Sequence, residues 1–331
     1  MTRTFTRLAV ATAAAAASAL LLSACGSSGS SSGGSGPSSS SGSSDTASAP
    51  AAKTGTIASK LILGGPPEFK TRVDGLPGLA KNYGVTFQKF TVTDVGGPIT
   101  VNALKNGQVD AADLFTTDPS IKANNFVALA DPKSNFNAQN VLPLIEKSKA
   151  TAGVKQVLDF ISSKLTTEAL LDLDTQVQLN KVDPDKAARA YLQTLNPPTT
   201  TPAKGVTITV GSANFPENET LADIYADALS AAGATVSKKL NIGSREKYIP
   251  ALQSGDINLI PEYSGVLLQY FDKTSTAASS ADVFAALQKA LPSKLEVLTQ
   301  SQAQDKDAIV VTAATAAKYG LKSIADLAKT S

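Results

Sequence analysis

Histidine and tryptophan do not occur in the 331-residue chain, and cysteine and methionine occur once each. Without histidine the commonest general base and a common metal ligand are missing. With Cys25 as the single thiol, neither a disulfide within the chain nor a thiolate zinc cage can form. No spacing of Ser and Lys, or of paired carboxylates, announces catalysis, so no catalytic residue, metal ligand or cofactor is assigned. An excess of one charge is lacking too: 30 Lys and Arg face 28 Asp and Glu, and Arg3 and Arg7 account for the difference. Nothing in that balance calls for nucleic acid as a partner. The longest apolar run, Leu8 to Leu22, is shorter than the ~20 residues a spanning helix needs.

That run follows Arg3 and Arg7 and leads into Leu22-Ser23-Ala24-Cys25-Gly26. A basic start, a short apolar segment and small residues before a cleavage point predict an export signal over 1–24. The tetrapeptide resembles the lipobox of bacterial lipoproteins, which implies a lipid on Cys25 and a site on the extracytoplasmic face of the membrane. Residues 25–56 are almost all Ser, Gly, Ala and Thr, too poor in apolar side chains to fold. They read as a flexible tether with an r.m.s. reach of ~30 Å. The remainder, roughly 275 residues, is long enough for two domains with their own cores.

The remainder repeats itself once. Ala103-Leu104-Lys-Asn-Gly107-Gln-Val109-Asp110, with Phe115 beyond it, recurs at an offset of 148 as Ala251-Leu252-Gln-Ser-Gly255-Asp-Ile257-Asn258, with Tyr263 beyond it. Upstream, Leu61 to Gly65 parallels Ile208 to Ser212 at an offset of 147. Each copy reads as strand, Gly turn, amphipathic helix, strand, helix ending at Gly, strand, which predicts a parallel α/β sheet. In the second copy Leu221, Ile224, Tyr225, Ala228 and Leu229 fall on one helix face; in the first, Leu76, Leu79, Ala80 and Tyr83 do. Tyr83 and Tyr225 are therefore expected in the core. Two α/β lobes with their strand ends facing each other predict a ligand cleft between them. Two independent domains without a shared site are the alternative.

The motifs Val210-Gly211-Ser212-Ala213-Asn214-Phe215-Pro216-Glu217-Asn218, Gly243-Ser244-Arg245-Glu246, Pro261-Glu262-Tyr263-Ser264-Gly265, Gly64-Gly65-Pro66-Pro67-Glu68-Phe69, Asp74-Gly75-Leu76-Pro77-Gly78-Leu79 and Phe115-Thr116-Thr117-Asp118 resemble the substrate-binding proteins of glycine-betaine/choline-type osmoprotectant ABC transporters. The resemblance covers nearly all of 57–331. It implies a two-lobed, type II periplasmic-binding-protein-like α/β fold. It also implies a non-enzymatic monomer that binds a small osmolyte and delivers it to ABC permease subunits. The lobe order departs from the family, since the segment Ile324-Ala325-Asp326-Leu327 usually runs straight into the Leu-x-Leu-Gly-Gly-Pro-Pro-Glu motif, which here begins at Leu61. We therefore expect a circular permutation: a lobe with closing helices over 57–195, a Pro/Thr linker over 196–205, a second lobe over 206–331, and new ends near the hinge. A truncated fusion, each half completed by a partner chain, is the alternative.

Matched motif by motif, the resemblance implies an aromatic cage for a quaternary ammonium, with Tyr263 and Phe115 contributed by opposite lobes. Two further cage positions carry Asp307 and Thr100, neither aromatic. Arg72 matches a family arginine that would meet a carboxylate. Asn214, Phe215 and Asn218 stand at the start of a helix whose free N–H groups and dipole face the same loop. Ser264 and Thr116 neighbour the cage residues. Asn214 reads equally well as a helix cap. A polyol or amino acid in the same fold is an alternative ligand; a lipid-anchored enzyme, or a surface lipoprotein without small ligand, is an alternative function.

Overall fold

The structure is a computed structural model and describes residues 55–196 and 200–330. The expected export signal, Cys25 and nearly all of the tether lie outside the described residues, as do 197–199 of the linker. None of the described helices is long and apolar enough to cross a membrane.

In the first lobe the copy folds as β1 (Ile62–Gly65), α1 (Leu76–Tyr83), β2 (Lys89–Val92), α2 (Pro98–Lys105), β3 (Ala111–Phe115), α3 (Ser120–Ala123) and β4 (Phe126–Ala128). After β5 (Val141–Glu146) come three helices, α4 (Ala152–Lys164), α5 (Thr167–Asp174) and α6 (Pro184–Leu195). The second copy folds as β6 (Thr207–Gly211), α7 (Pro216–Ala231), β7 (Thr235–Lys239), α8 (Arg245–Ser254) and β8 (Leu259–Tyr263), with β9 (Leu295–Val297) and β10 (Asp307–Thr312) following. Helix starts follow simple chemistry. Pro stands in the first turn of α1, α2, α6 and α7, where its missing N–H costs nothing. Left-handed Gly84 and Gly255 end α1 and α8.

Two five-stranded sheets result, ordered β2-β1-β3-β10-β4 and β7-β6-β8-β5-β9. The expected parallel sheet holds only for the first three strands of each. β10 runs antiparallel between β3 and β4, and β5 runs antiparallel between β8 and β9. Each of these strands reaches its sheet by crossing from the other lobe, through 129–140 and 298–306, and so enters from the opposite end. The crossovers run side by side: Val141 N–H donates to the Ala303 carbonyl at 3.0 Å and Asp305 N–H to that of Gln139 at 3.1 Å. Two lobes joined by two exchanged strands are the type II arrangement.

The apolar faces read from periodicity form the cores. Leu221, Ile224, Tyr225 and Leu229 of α7 pack on β6, α4 and α6, and Leu79 and Tyr83 of α1 pack on β1 and β10. Each fully buried Leu or Ile contributes about 1.5–3 kcal/mol. The described ends of the chain meet: Ile57 N–H donates to the Lys329 carbonyl at 2.8 Å, and Thr56 bridges Thr330. They meet in the first lobe and not at the hinge, because Ile57, Ala58 and Leu61 share a core with Ile324 and Leu327.

The linker is docked against the second lobe. Ala203 is fully buried, and its N–H donates to the Ala232 carbonyl at 3.0 Å. The Cβ that alanine would add at Gly153 falls 1.8 Å from the Pro202 carbonyl oxygen. Gly153→Ala is thus expected to cost about 1–3 kcal/mol, read as a lower urea midpoint at unchanged slope. An unshifted midpoint would mean that the linker leaves α4 freely.

Candidate functional site

A cavity of about 470 Å³ lies between the lobes, bounded by the carboxyl ends of β3 and β8 and by the loops before α1, α7 and α8. Its aromatic wall is a row of three mutually tilted rings. Phe115 at the end of β3 and Phe215 at the start of α7 have centroids 5.4 Å apart, and Phe215 and Tyr263 at the end of β8 have centroids 5.9 Å apart. Phe115 and Tyr263 occupy equivalent positions in the repeat and come from opposite lobes, with Phe215 wedged between them. The Tyr263 hydroxyl donates to Glu217 Oε1, which turns the polar tip away and leaves the ring toward the cavity.

Two arginines reach the cavity, and both are already paired. Arg72 Nε lies 2.7 Å from Asp74 Oδ1, and Nη2 lies 2.7 Å from Asp307 Oδ2, while the guanidinium sits 5.4 Å over the Phe69 ring. Burial opposes that charge, but the carboxylates of Asp307 and Asp74 more than offset it and hold Arg72 protonated. Asp113 completes the cluster from β3; burial, and then Asp307, push its carboxyl well above the usual range. Arg245 makes a bidentate pair with Glu262, Nε to Oε1 at 3.0 Å and Nη2 to Oε2 at 2.7 Å. Glu262 is fully buried and also accepts the Tyr248 hydroxyl at 2.8 Å and the Tyr263 N–H at 2.9 Å.

Of the expected site residues, the structure brings Tyr263, Phe115, Arg72, Asn214, Phe215 and Asp307 to the cavity. The other four lie elsewhere, the first three held by backbone and Thr100 largely by side chains. Asn218 ties β6 to β8, accepting the Ala213 N–H and donating to the Pro261 carbonyl. Ser264 accepts the Asn140 N–H and donates to the Ala138 carbonyl at the first crossover. Thr116 pairs with Lys306, its Oγ1 accepting the Lys306 N–H. Thr100 is fully buried in α2 and bonds Asp94 and Thr93.

Cavity residues that sequence reasoning missed include Gln139, Arg245, Tyr270, Lys273 and Asp305. Glu262 carried a usable signal, a lone carboxylate inside the apolar run Leu259-Ile260-Pro261. Among the described residues no group of His, Cys, Asp and Glu is placed to hold a metal ion. The lining thus combines aromatic rings with the carboxylates of Glu68, Glu246, Asp305 and Asp307, with both arginines paired and Lys273 as a further cation. That surface suits a cation.

Residues 47–194 and 206–331 match the family described as the substrate binding domain of ABC-type glycine betaine transport systems. The glycine-betaine-binding protein of Pseudomonas aeruginosa is 28% identical over 129 residues, 38% of this chain and 42% of that protein. An ergothioneine transport permease/ergothioneine binding protein of Helicobacter pylori is 28% identical over 130 residues, 39% of this chain and 23% of that protein. These matches thus span less than half the length of either relative. Among solved structures, a methylphosphonate complex of PhnD1 from Prochlorococcus marinus covers 82% of both chains at 13% identity, with a TM-score of 0.42. The match to the family spans both lobes, and this chain belongs to the family of substrate-binding domains of ABC-type glycine betaine transport systems.

Proposed function

We propose that the chain is the extracytoplasmic solute-binding component of an ABC importer, capturing a quaternary-ammonium osmolyte such as glycine betaine or choline in this cleft. The observation that carries the reading is the row of Phe115, Phe215 and Tyr263 in a cavity whose lining carboxylates outnumber its unpaired cations. A quaternary ammonium cannot donate hydrogen bonds, so aromatic faces and nearby negative charge are what can hold it, at about 0.5–2 kcal/mol per ring. The ligand would favour the closed form of the two lobes, and that form would dock on permease subunits. A lipid on Cys25 would keep a monomer at the membrane, and no cofactor is required. A hydroxyl-rich solute is the second reading, favoured by the buried Asp305 Oδ2 and Asp307 Oδ1, which have no hydrogen-bond partner.

The lobe order belongs to the same proposal. The hydrogen bond from Ile57 to Lys329 and the bridge from Thr56 to Thr330 put side by side the two residues that the usual order would join. This supports a circular permutation that folds as one chain.

The test is thermal unfolding against glycine betaine, choline, carnitine, proline and neutral polyols. A ligand at 100 times its Kd should add about 2.7 kcal/mol. Phe115→Leu, which keeps apolar volume and removes the ring face, should weaken a quaternary ammonium about 2- to 30-fold. Stabilisation by uncharged compounds alone would leave the scaffold and remove the assigned ligand.

A further inference from the structure

Glu217 does not line the main cavity. It stands in the first turn of α7, 3% exposed, directly behind Tyr263. Its Oε1 accepts the Tyr263 hydroxyl. Its Oε2 lies 2.9 Å from Thr117 Oγ1, and that same oxygen lies 2.7 Å from Asp305 Oδ1. Thr117 follows β3 in the first lobe, Glu217 belongs to the second, and Asp305 lies on the second crossover, so the three side chains bridge the lobes.

A hydroxyl carries one proton. Thr117 can donate to one of the two carboxylates and not to both; the remaining contact, at less than 3 Å in a site shut from water, would set lone pair against lone pair. One added proton on Glu217 Oε2 resolves every contact. Tyr263 then donates to Glu217, Glu217 to Thr117, and Thr117 to Asp305. Asp305 Oδ1 also accepts the Thr117 N–H at 3.2 Å and lies 3.4 Å from Thr116 Oγ1, which makes it the acceptor end of the chain, although burial, and then Glu217, raise its carboxyl too.

The other groups around this chain add no counter-charge. Asp174 from the end of α5 contacts Glu217, with Gln178 beyond it, and Asp118 approaches from the first lobe. Among the described residues no Lys or Arg forms an ion pair with Glu217, Asp174 or Asp305. Burial, and then Asp174, raise the Glu217 carboxyl well above the usual range, and burial pushes Asp174 up to about 8.

We propose that Glu217 is a positioning residue that enters the closed form as the neutral acid, so that closing the lobes over a ligand takes up a proton. When the lobes part, Glu217 loses Thr117 and part of its burial but keeps Asp174 beside it, so its pKa falls to between the closed-form value and the ~4.3 of a glutamic acid in water. The group has the higher pKa in the closed form. Affinity is therefore greatest below the open-form value and falls as pH rises toward the closed-form value, by up to about tenfold per pH unit for one proton.

The affinity arm rests on the solute-binding reading; the geometry does not. Choline chloride and glycine betaine are titrated calorimetrically into the wild type and Glu217→Gln between about pH 5.5 and 8.5. The wild-type titration is repeated in phosphate and in Tris to count protons taken up. Ligand-free thermal unfolding of both proteins spans the same range. We expect the wild-type affinity to fall at least about tenfold across it with net proton uptake. The profile should flatten in Glu217→Gln, whose amide donates to Thr117 and accepts from Tyr263 without titrating. A flat wild-type profile without proton uptake, or an equal slope in the variant, overturns the proposal while solute binding stands. If neither probe binds, the solute reading fails and the ligand-free arm decides. A Tm advantage of Glu217→Gln that grows with pH supports the neutral acid, and a constant or shrinking one overturns it.

Discussion

Glu262→Ala should lower stability by about 3–5 kcal/mol, the cost of leaving the largely buried Arg245 charged without its partner. The loss is large because Glu262 serves three donors at once: the Arg245 guanidinium through both oxygens, the Tyr248 hydroxyl and the Tyr263 N–H. A double variant, Glu262→Leu with Arg245→Met, removes the stranded charge and should recover a large part of the loss, since apolar replacement of a buried pair is often neutral or better. Recovery should fall short of the wild type, because the Tyr248 and Tyr263 donors stay buried without an acceptor, at about 1–3 kcal/mol each. Urea unfolding of the wild type and both variants decides. A double variant no more stable than Glu262→Ala would mean that the pair matters for its shape and not its charge.

Arg72→Met should cost about 3–5 kcal/mol as well, but with a pH dependence that Glu262→Ala lacks. Methionine keeps the apolar stem over Phe69 and removes what is, among the described residues, the only cation paired within a cluster of three carboxyls, Asp74, Asp113 and Asp307. Burial already holds Asp74 and Asp113 above the usual carboxylate range, and Arg72 is the group that pulls both down. Without it their folded-state values rise further, and the folded protein binds more protons than the unfolded chain. Stability then falls as pH rises from the unfolded value near ~4 through the folded values. The penalty of Arg72→Met, measured by urea unfolding at about pH 5 and pH 8, should be smaller at the acid end. A penalty independent of pH would show that the cluster keeps its protons with or without the arginine.

The fold was legible where a pattern repeats. The paired Gly-ended helices and following strands placed β3 and β8, and with them Phe115 and Tyr263, because equivalent strands end at equivalent points in two lobes. The family resemblance and the two-lobed fold stand. Strand direction was not legible: Val141 to Glu146 and Asp307 to Thr312 are short apolar runs, and the end from which they enter a sheet depends on where the preceding element lies. The polar neighbours of the motifs misled for a related reason. Ser264 and Asn218 sit one and three residues from ring-bearing positions, yet a strand end or helix start turns successive side chains apart, and theirs meet backbone. Arg245 and Glu262 lie on different elements, so no spacing rule joins them, and only a charge stranded in an apolar strand hinted that a partner existed.

The exchanged strands also govern how the chain can come into being. A nascent chain emerges from its amino end, so β1 to β4 exist long before β10 does, yet β4 finds its partner in the sheet only in β10. At about 5–20 residues per second, the stretch from Phe115 to Asp307 takes on the order of 10–40 s to synthesise. Throughout that interval β3 offers an open edge, and β5 waits for β8 in the same way. The second lobe therefore has all its strands once β9 is made, whereas the sheet of the first, though begun earlier, closes only when β10 follows.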